Sequence, residues 1–384
     1  SDNGATAVEV ALKLAIQYWQ QQSTPQKKKK DFIRLDAAYH GDTMGSMSVS
    51  GLNLFHERFR PMLFPTISLA APYCYRCPLN LKYPSCNKVC IDPLEEILAK
   101  RHQQIAGLII EPMIQAVAGM IVQPHGYLSR IRELCTQYNV LLIADEVATG
   151  FGRTGKWFAC HHEKITPDLM CVAKGLTGGY MPLAATLTTQ KIYKAFLGEY
   201  RELKAFLHGH SYTGNQLGAA VALASWRLLN QPKAKARRKA MERVLAHELN
   251  SLWSLAVVGD VRREGLVVGV ELVSDWKTRR AFSLKAQAGI RVCESMARRG
   301  VLTRAIGNVV PLLPPYCSTN TQLRRMIRAL RESIVEVLKF ISSETSTSTI
   351  VHACGISLAL FSILLEIILR IEFVGIISIV RGTF

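Results

Sequence analysis

Three unbroken apolar runs, each ending on a charged residue, set the strongest limit on how this chain can fold. Leu108-Ile109-Ile110 stops at Glu111-Pro112, Val140 to Ala144 stops at Asp145, and Leu169-Met170-Cys171-Val172-Ala173 stops at Lys174. Short apolar runs without alternation suit strands buried on both faces, and a helical pattern over Tyr127 to Tyr138 separates the first two. Upstream, Val8, Leu12, Ala15, Ile16 and Trp19 recur at helical spacing after Gly4, while Phe32, Ile33 and Leu35 read as a short buried strand. This alternation predicts an α/β fold built on a large, mostly parallel sheet with helices on its faces. In such sheets a ligand lies beyond the carboxyl ends of the strands, so Glu111, Asp145 and Lys174 become candidates for chemistry.

Past a helical stretch around Lys233 to Trp253, the pattern from Val261 to Leu272 reads as two strands around a turn, where a smaller α+β domain begins. The expected layout is a large domain over residues 1–250, a small domain over 251–341, and a Ser/Thr-rich linker with an atypical apolar tail over 342–384. From Ile350 to Phe384 the sequence is very apolar, but Glu366, Arg370 and Glu372 interrupt it. A bilayer span wants about 20 predominantly apolar residues, so a membrane tether, an interfacial helix, a docked core helix and a foreign tail all stay open. The chain begins at Ser1-Asp2-Asn3-Gly4, without methionine and inside what reads as a strand-to-helix turn, which leads us to expect residues upstream.

With 384 residues, 49% of them hydrophobic, the chain can bury a large core. The net charge of +18 raises a nucleic-acid reading, but Lys and Arg are spread over helix-like segments without a DNA- or RNA-binding signature. The densest run, Lys27 to Lys30, is read as a solvated loop after Pro25. Ten cysteines without a secretory signal point to free thiols in a reducing compartment, the cytoplasm by default.

Lys174 sits between a buried strand and the glycine-rich turn Gly175-Leu176-Thr177-Gly178-Gly179. Desolvation there would favour a neutral amine, the form that bonds an aldehyde, although a surface lysine at a strand end fits the local sequence equally well. Asp145 needs a cationic partner or several donors to stay ionised. A protonated pyridine nitrogen is one such partner; a cap for the turn running to Gly150 is the alternative. Gly4-Ala5-Thr6 leads straight into a helix whose free amides suit a phosphate, or serve only ordinary capping.

Together, Asp2-Asn3-Gly4-Ala5-Thr6-Ala7-Val8-Glu9, Tyr39-His40-Gly41-Asp42-Thr43, Asp145 to Gly155 and Lys174 to Gly179 resemble the blocks of class III aminotransferases in their usual order. The likeness runs from Ser1 to about Ile341. It implies a fold-type I, pyridoxal-phosphate-dependent homodimer with its site at the subunit interface. It also implies that Lys174 carries the cofactor aldehyde and contacts substrate, and that Asp145 meets the pyridine nitrogen. Val147 and Tyr39 would pack on the two ring faces, Tyr39 touching substrate too, and the amides of Gly4 and Ala5 would hold phosphate. Many relatives carry serine where Ala5 stands, which removes one phosphate contact.

Within the class, Tyr180 to Thr189, His208 to Asn215 and Leu313-Pro314-Pro315-Tyr316 resemble the branch that converts 8-amino-7-oxononanoate to 7,8-diaminononanoate in biotin synthesis, with S-adenosylmethionine the usual donor. That likeness makes His210 and Ser211 phosphate contacts reaching across the dimer, Gly209 a backbone contact to substrate, and Arg304 a clamp for a substrate carboxylate rather than a surface ion pair. Another class III ω-aminotransferase, or an inactive remnant lacking upstream pocket residues, are the alternative readings. Cys74, Cys77, Cys86 and Cys90 have paired spacing that can build a zinc site. Their central loop is short for a zinc ribbon, so a reduced cysteine-rich loop is expected and no metal is assigned.

Overall fold

The computed structural model describes residues 1–353. Ser1–Ser333 forms one compact unit, and the described residues from Ile334 onward fall outside it. Twelve strands are described: β1 (Asp31–Leu35), β2 (Ile67–Leu69), β3 (Ile105–Ile110), β4 (Ile114–Gln115), β5 (Ile121–Val122), β6 (Leu141–Asp145), β7 (Leu169–Val172), β8 (Ala185–Thr188), β9 (Val258–Glu264), β10 (Val267–Asp275), β11 (Arg280–Ala281) and β12 (Val309–Leu312). Six of them make the main sheet in the order β2-β1-β3-β6-β7-β8, every pair parallel except the antiparallel β7–β8. The three apolar runs are its central strands β3, β6 and β7.

Successive strand residues point to opposite faces, and the buried side chains divide accordingly. Ile33, Leu108, Ile110, Leu142 and Ala144 pack with Leu94, Leu98, Leu128 and Ile131 of the helices Asp92–Arg101 and Tyr127–Gln137. Phe32, Ile109, Leu141, Ile143 and Leu169 pack instead with Val8, Leu12, Ala15 and Trp19 of α1 (Gly4–Gln20). Each such aliphatic or aromatic side chain contributes about 1.5–3 kcal/mol on leaving water. Trp19 is also tied to the sheet, because its indole Nε1 donates to Ala106 O at 2.8 Å. The helical stripe and the run of apolar strand residues are thus two halves of one core.

β9, β10, β11 and β12 form a second, antiparallel sheet. A buried ionic cluster joins it to the hairpin β4–β5. Arg262 on β9 donates to Gly119 O and Met120 O from Nε at 3.0 and 2.9 Å, and from Nη1 to Asp260 and Glu271 at 2.9 and 2.8 Å. Glu271 also accepts from Arg76 Nε at 2.5 Å and from the Tyr73 hydroxyl. The turn that follows β4 carries Val117 into the main cavity, so this cluster holds one of the cavity's walls.

One feature differs from expectation. Ser342 to Thr349, read as a linker, continues the helix Asn320–Ala353. Once a helix is nucleated, each added residue gains a hydrogen bond at low entropic cost, which overrides the weak local preference of Ser and Thr. Among the described residues no helix is long and apolar enough to cross a membrane, while most of the apolar tail, residues 354–384, lies outside the described residues.

Arg262→Met should leave the carboxylates of Asp260 and Glu271 without their buried cation. We expect a loss of about 3 kcal/mol of stability, read as a lower urea midpoint. An unchanged midpoint would show that Arg76 alone neutralises the cluster.

Candidate active site

The carboxyl ends of four neighbouring strands deliver four polar side chains to one cavity of about 690 Å³. β1 runs into Tyr39, β3 into Glu111, β6 ends on Asp145 and β7 precedes Lys174. The N-terminus of α1 closes the cavity with Gly4 and Ala5, and Val147 and Thr177 also line it. Strand ends singled out Glu111, Asp145 and Lys174 in the sequence, the helix start pointed to Gly4 and Ala5, and Tyr39 and Val147 came from the resemblance alone. Glu111 was given no role.

Asp145 is only 4% exposed. His40 Nδ1 donates to its Oδ2 at 2.7 Å and the Val147 amide donates to its Oδ1 at 3.0 Å. Through the Val147 amide Asp145 caps the start of the following turn, and the next residue holds the rest of it. Glu146, fully buried, accepts from Thr149 Oγ1 and from the amides of Ala159 and Cys160, while its carbonyl accepts from Gly150 N. Burial pushes the Glu146 carboxyl up and these donors oppose the shift. Asp145 is thereby left free to face the cavity. His40 is the functional residue that sequence reading passed over, and its only signal was adjacency to Tyr39.

Lys174 follows an extended Ala173 and takes a left-handed φ of 44°, uncommon for a residue with a side chain and costing about 1–3 kcal/mol. Of the two readings the sequence left open for this lysine, a desolvated amine and a surface one, the single chain displays an exposed Lys174 that lines the cavity. Tyr39 donates from its hydroxyl to Asp42 Oδ2 at 2.7 Å, and its amide donates to Glu111 Oε1 at 3.0 Å. Burial, then the Asp42 hydrogen bond and charge, push the phenol up to about 12.

Asn3 caps α1, accepting from Thr6 N at 3.0 Å. The amides of Gly4 and Ala5, ahead of that bond, are first-turn donors with no helical acceptor, and both residues line the cavity. Glycine at position 4 is a packing requirement, since a Cβ there would stand 2.7 Å from Val147 Cγ1. Gly41 has φ +126°, and a Cβ on it would meet the Ala5 Cβ at 2.4 Å.

Gly209, His210, Ser211 and Arg304 do not line this cavity. Ser211, Gly209 and Arg304 are exposed in the single chain. Cys74, Cys77, Cys86 and Cys90 are free thiols lining a second, apolar cavity. Burial followed by the neighbouring thiols pushes Cys90 up to about 11, which favours thiol over thiolate. Among the described residues no group of three or more His, Cys, Asp or Glu is arranged to hold a metal ion.

A family model described as aminotransferase class-III matches residues 1–334. The adenosylmethionine-8-amino-7-oxononanoate aminotransferase of Geobacter sulfurreducens is 50% identical over 335 residues, covering 87% of this chain and 74% of the relative. The crystal structure of the adenosylmethionine-8-amino-7-oxononanoate aminotransferase of Methanocaldococcus jannaschii is similar with a TM-score of 0.81 at 40% identity, covering 88% of this chain and 74% of that one. An amine transaminase from an uncultivated Pseudomonas species, solved in its PLP-bound form, gives a TM-score of 0.81 at 37% identity, with 88% and 76% covered.

The approach of Gly4 to Val147 yields a packing prediction. Gly4→Ala should cost about 1–3 kcal/mol in urea unfolding through overpacking. A variant as stable as the parent would mean that the start of α1 is free to move away from Val147.

Proposed function

The chain belongs to the aminotransferase class III family, and from that premise we propose that it transfers an amino group to 8-amino-7-oxononanoate, giving 7,8-diaminononanoate, with S-adenosylmethionine as donor. The observation that carries this reading is the convergence of Lys174, Asp145 and the open amides of Gly4 and Ala5 on one cavity. The substrates are those named for relatives at 40–50% identity, such as the Geobacter and Methanocaldococcus proteins.

The residues present fit pyridoxal phosphate on three counts. A buried carboxylate, Asp145, faces the cavity with its far side already bonded to His40. The backbone cradle at Gly4 is one that a Cβ would fill. An amine and two helix-terminal amides line the same space. When bound, the cofactor supplies a reactive aldehyde and an electron-accepting pyridinium ring.

The chain's own groups then divide the work. Lys174 offers at Nζ an amine able to bond an aldehyde when neutral, and able to take a proton from the substrate carbon and return it. Asp145 presents negative charge to a cationic ring nitrogen, and the His40 hydrogen bond holds that carboxylate in orientation. Gly4 and Ala5 direct amide dipoles at a phosphate, reinforced by the positive end of α1. Ala5 lacks a hydroxyl that would add a contact, so the phosphate depends on further donors.

His210 and Ser211, outside the cavity of their own chain, are assigned to the phosphate of a second copy in a homodimer. Exposed apolar residues in the surrounding segments support this, with Tyr180 at 86%, Tyr200 at 93% and Leu207 at 83%. In the same reading Gly209 offers a backbone contact to substrate. Arg304 clamps the acid end of the keto substrate, a task suited to a planar two-point donor. Nine described cysteines, all free thiols, support placement in the cytoplasm.

Lys174→Ala should abolish both the visible absorbance band that appears on adding pyridoxal phosphate and all measurable amino transfer. In the parent enzyme 8-amino-7-oxononanoate should outcompete pyruvate as acceptor. A borohydride-trappable adduct retained in the variant would move the reactive amine to another lysine, and a preference for pyruvate would favour a broad ω-aminotransferase.

A further inference from the structure

Glu111 is a carboxylate that the amino-transfer chemistry does not use, yet it occupies the centre of the site. It is 3% exposed and lies at the end of β3, between the strands that deliver Tyr39 and Asp145. Its Oε1 accepts from the Tyr39 amide at 3.0 Å and its Oε2 accepts from the Ala116 amide at 2.9 Å. The two bonds tie it to two walls of the cavity, one formed by Tyr39 and the other by Val117, the residue after Ala116. Its own backbone is fixed as well: Glu111 O accepts from Gln123 Nε2 at 2.8 Å, and Gln123 Oε1 accepts from Met113 N at 3.1 Å.

The charge of Glu111 acts on the same imidazole that supports Asp145. Glu111 lies within electrostatic reach of His40 and of Asp145. His40 donates from Nδ1 to Asp145, whereas its Nε2 is buried without a hydrogen-bond partner among the described residues. Two carboxylates therefore face one buried imidazole.

We propose that Glu111 is a positioning residue for the transaminase site: it clamps the Tyr39 and Ala116 walls through their amides and places a buried carboxyl beside the His40–Asp145 pair assigned to the cofactor nitrogen. This rests on the amino-transfer reading above. Each carboxyl oxygen of Glu111 already accepts a backbone amide, so its effect is assigned to the residues it holds.

An independent signature exists in the cofactor-free protein. Burial, countered by His40 and reinforced by Asp145, pushes the Glu111 carboxyl from its ordinary value of 4.5 up to about 7. The folded chain thus holds this proton more tightly than the unfolded chain. The associated stability is fully present below the unfolded value and is lost as pH rises through about 7.

The test is Glu111→Gln, read in both forms of the protein. In the loaded enzyme turnover should fall about tenfold or more while KM for the keto acid stays within roughly threefold. The pH midpoint of the bound cofactor's visible band should move away from that of the parent. In the cofactor-free chain, the decline in urea midpoint as pH rises from the ordinary carboxyl range toward neutrality should flatten. Should glutamine disturb folding by setting its amide against a backbone N–H, Glu111→Asp keeps the charge and shortens the reach by one methylene. That variant should keep the parent's band midpoint and lose turnover. Parental turnover and band midpoint in whichever variant folds, or an unflattened decline in Glu111→Gln, would overturn the proposal. A parent protein that gives no visible band with pyridoxal phosphate would instead overturn the transaminase reading, while leaving the pH dependence of the cofactor-free chain intact.

Discussion

A carboxylate taken out of water stays ionised only if other donors replace the solvent it has lost. At Asp145 those donors are the His40 imidazole at 2.7 Å and the Val147 amide at 3.0 Å, one on each oxygen. The local architecture follows from keeping that carboxylate buried, supported and open to the cavity. Glu146 holds the rest of the following turn, bonding Thr149, Ala159 and Cys160. His40 is itself held, since its amide donates to Ser50 Oγ at 2.9 Å.

The parallel sheet places the other participants. Because β1, β3, β6 and β7 all run in one direction, their carboxyl ends share one edge, and the residues beyond them meet without long loops. α1 packs on the same sheet through Val8, Leu12 and Trp19 and so brings its N-terminal amides to that edge. The close approach of Gly4 to Val147 locks the helix end against the residue that also supports Asp145. A change in core packing beneath α1 would therefore be felt at the helix end that lines the cavity.

Much of this was legible in the sequence because the central strands are continuous apolar runs, and such runs announce both burial and the residue that terminates them. Lys174, Asp145 and Glu111 emerged in that way, and the helical stripe after Gly4 gave α1. The left-handed turn at Lys174 was not legible, since it falls on a residue that is not glycine. Nor was the role of His40, which comes from a contact with Asp145 across 105 positions of chain. The helical state of Ser342 to Thr349 was hidden by its own composition, because the propagating helix before it decides the outcome. His210, Ser211 and Arg304 carry family likeness but have no place in the cavity of one chain, so their roles depend on an arrangement that a single copy does not display.

Asp145 is the charge proposed to face the cofactor nitrogen, and the most direct measurement compares Asp145→Asn with the parent by cofactor titration and steady-state amino transfer. Asparagine preserves the size of the side chain, so the variant should fold with the parent's unfolding midpoint and still bind pyridoxal phosphate through Lys174 and the amides of Gly4 and Ala5. Its turnover should fall by about a hundredfold or more, as expected when an oriented charge is removed from a water-poor site. Turnover close to that of the parent would contradict the account and reduce Asp145 to a structural partner of His40.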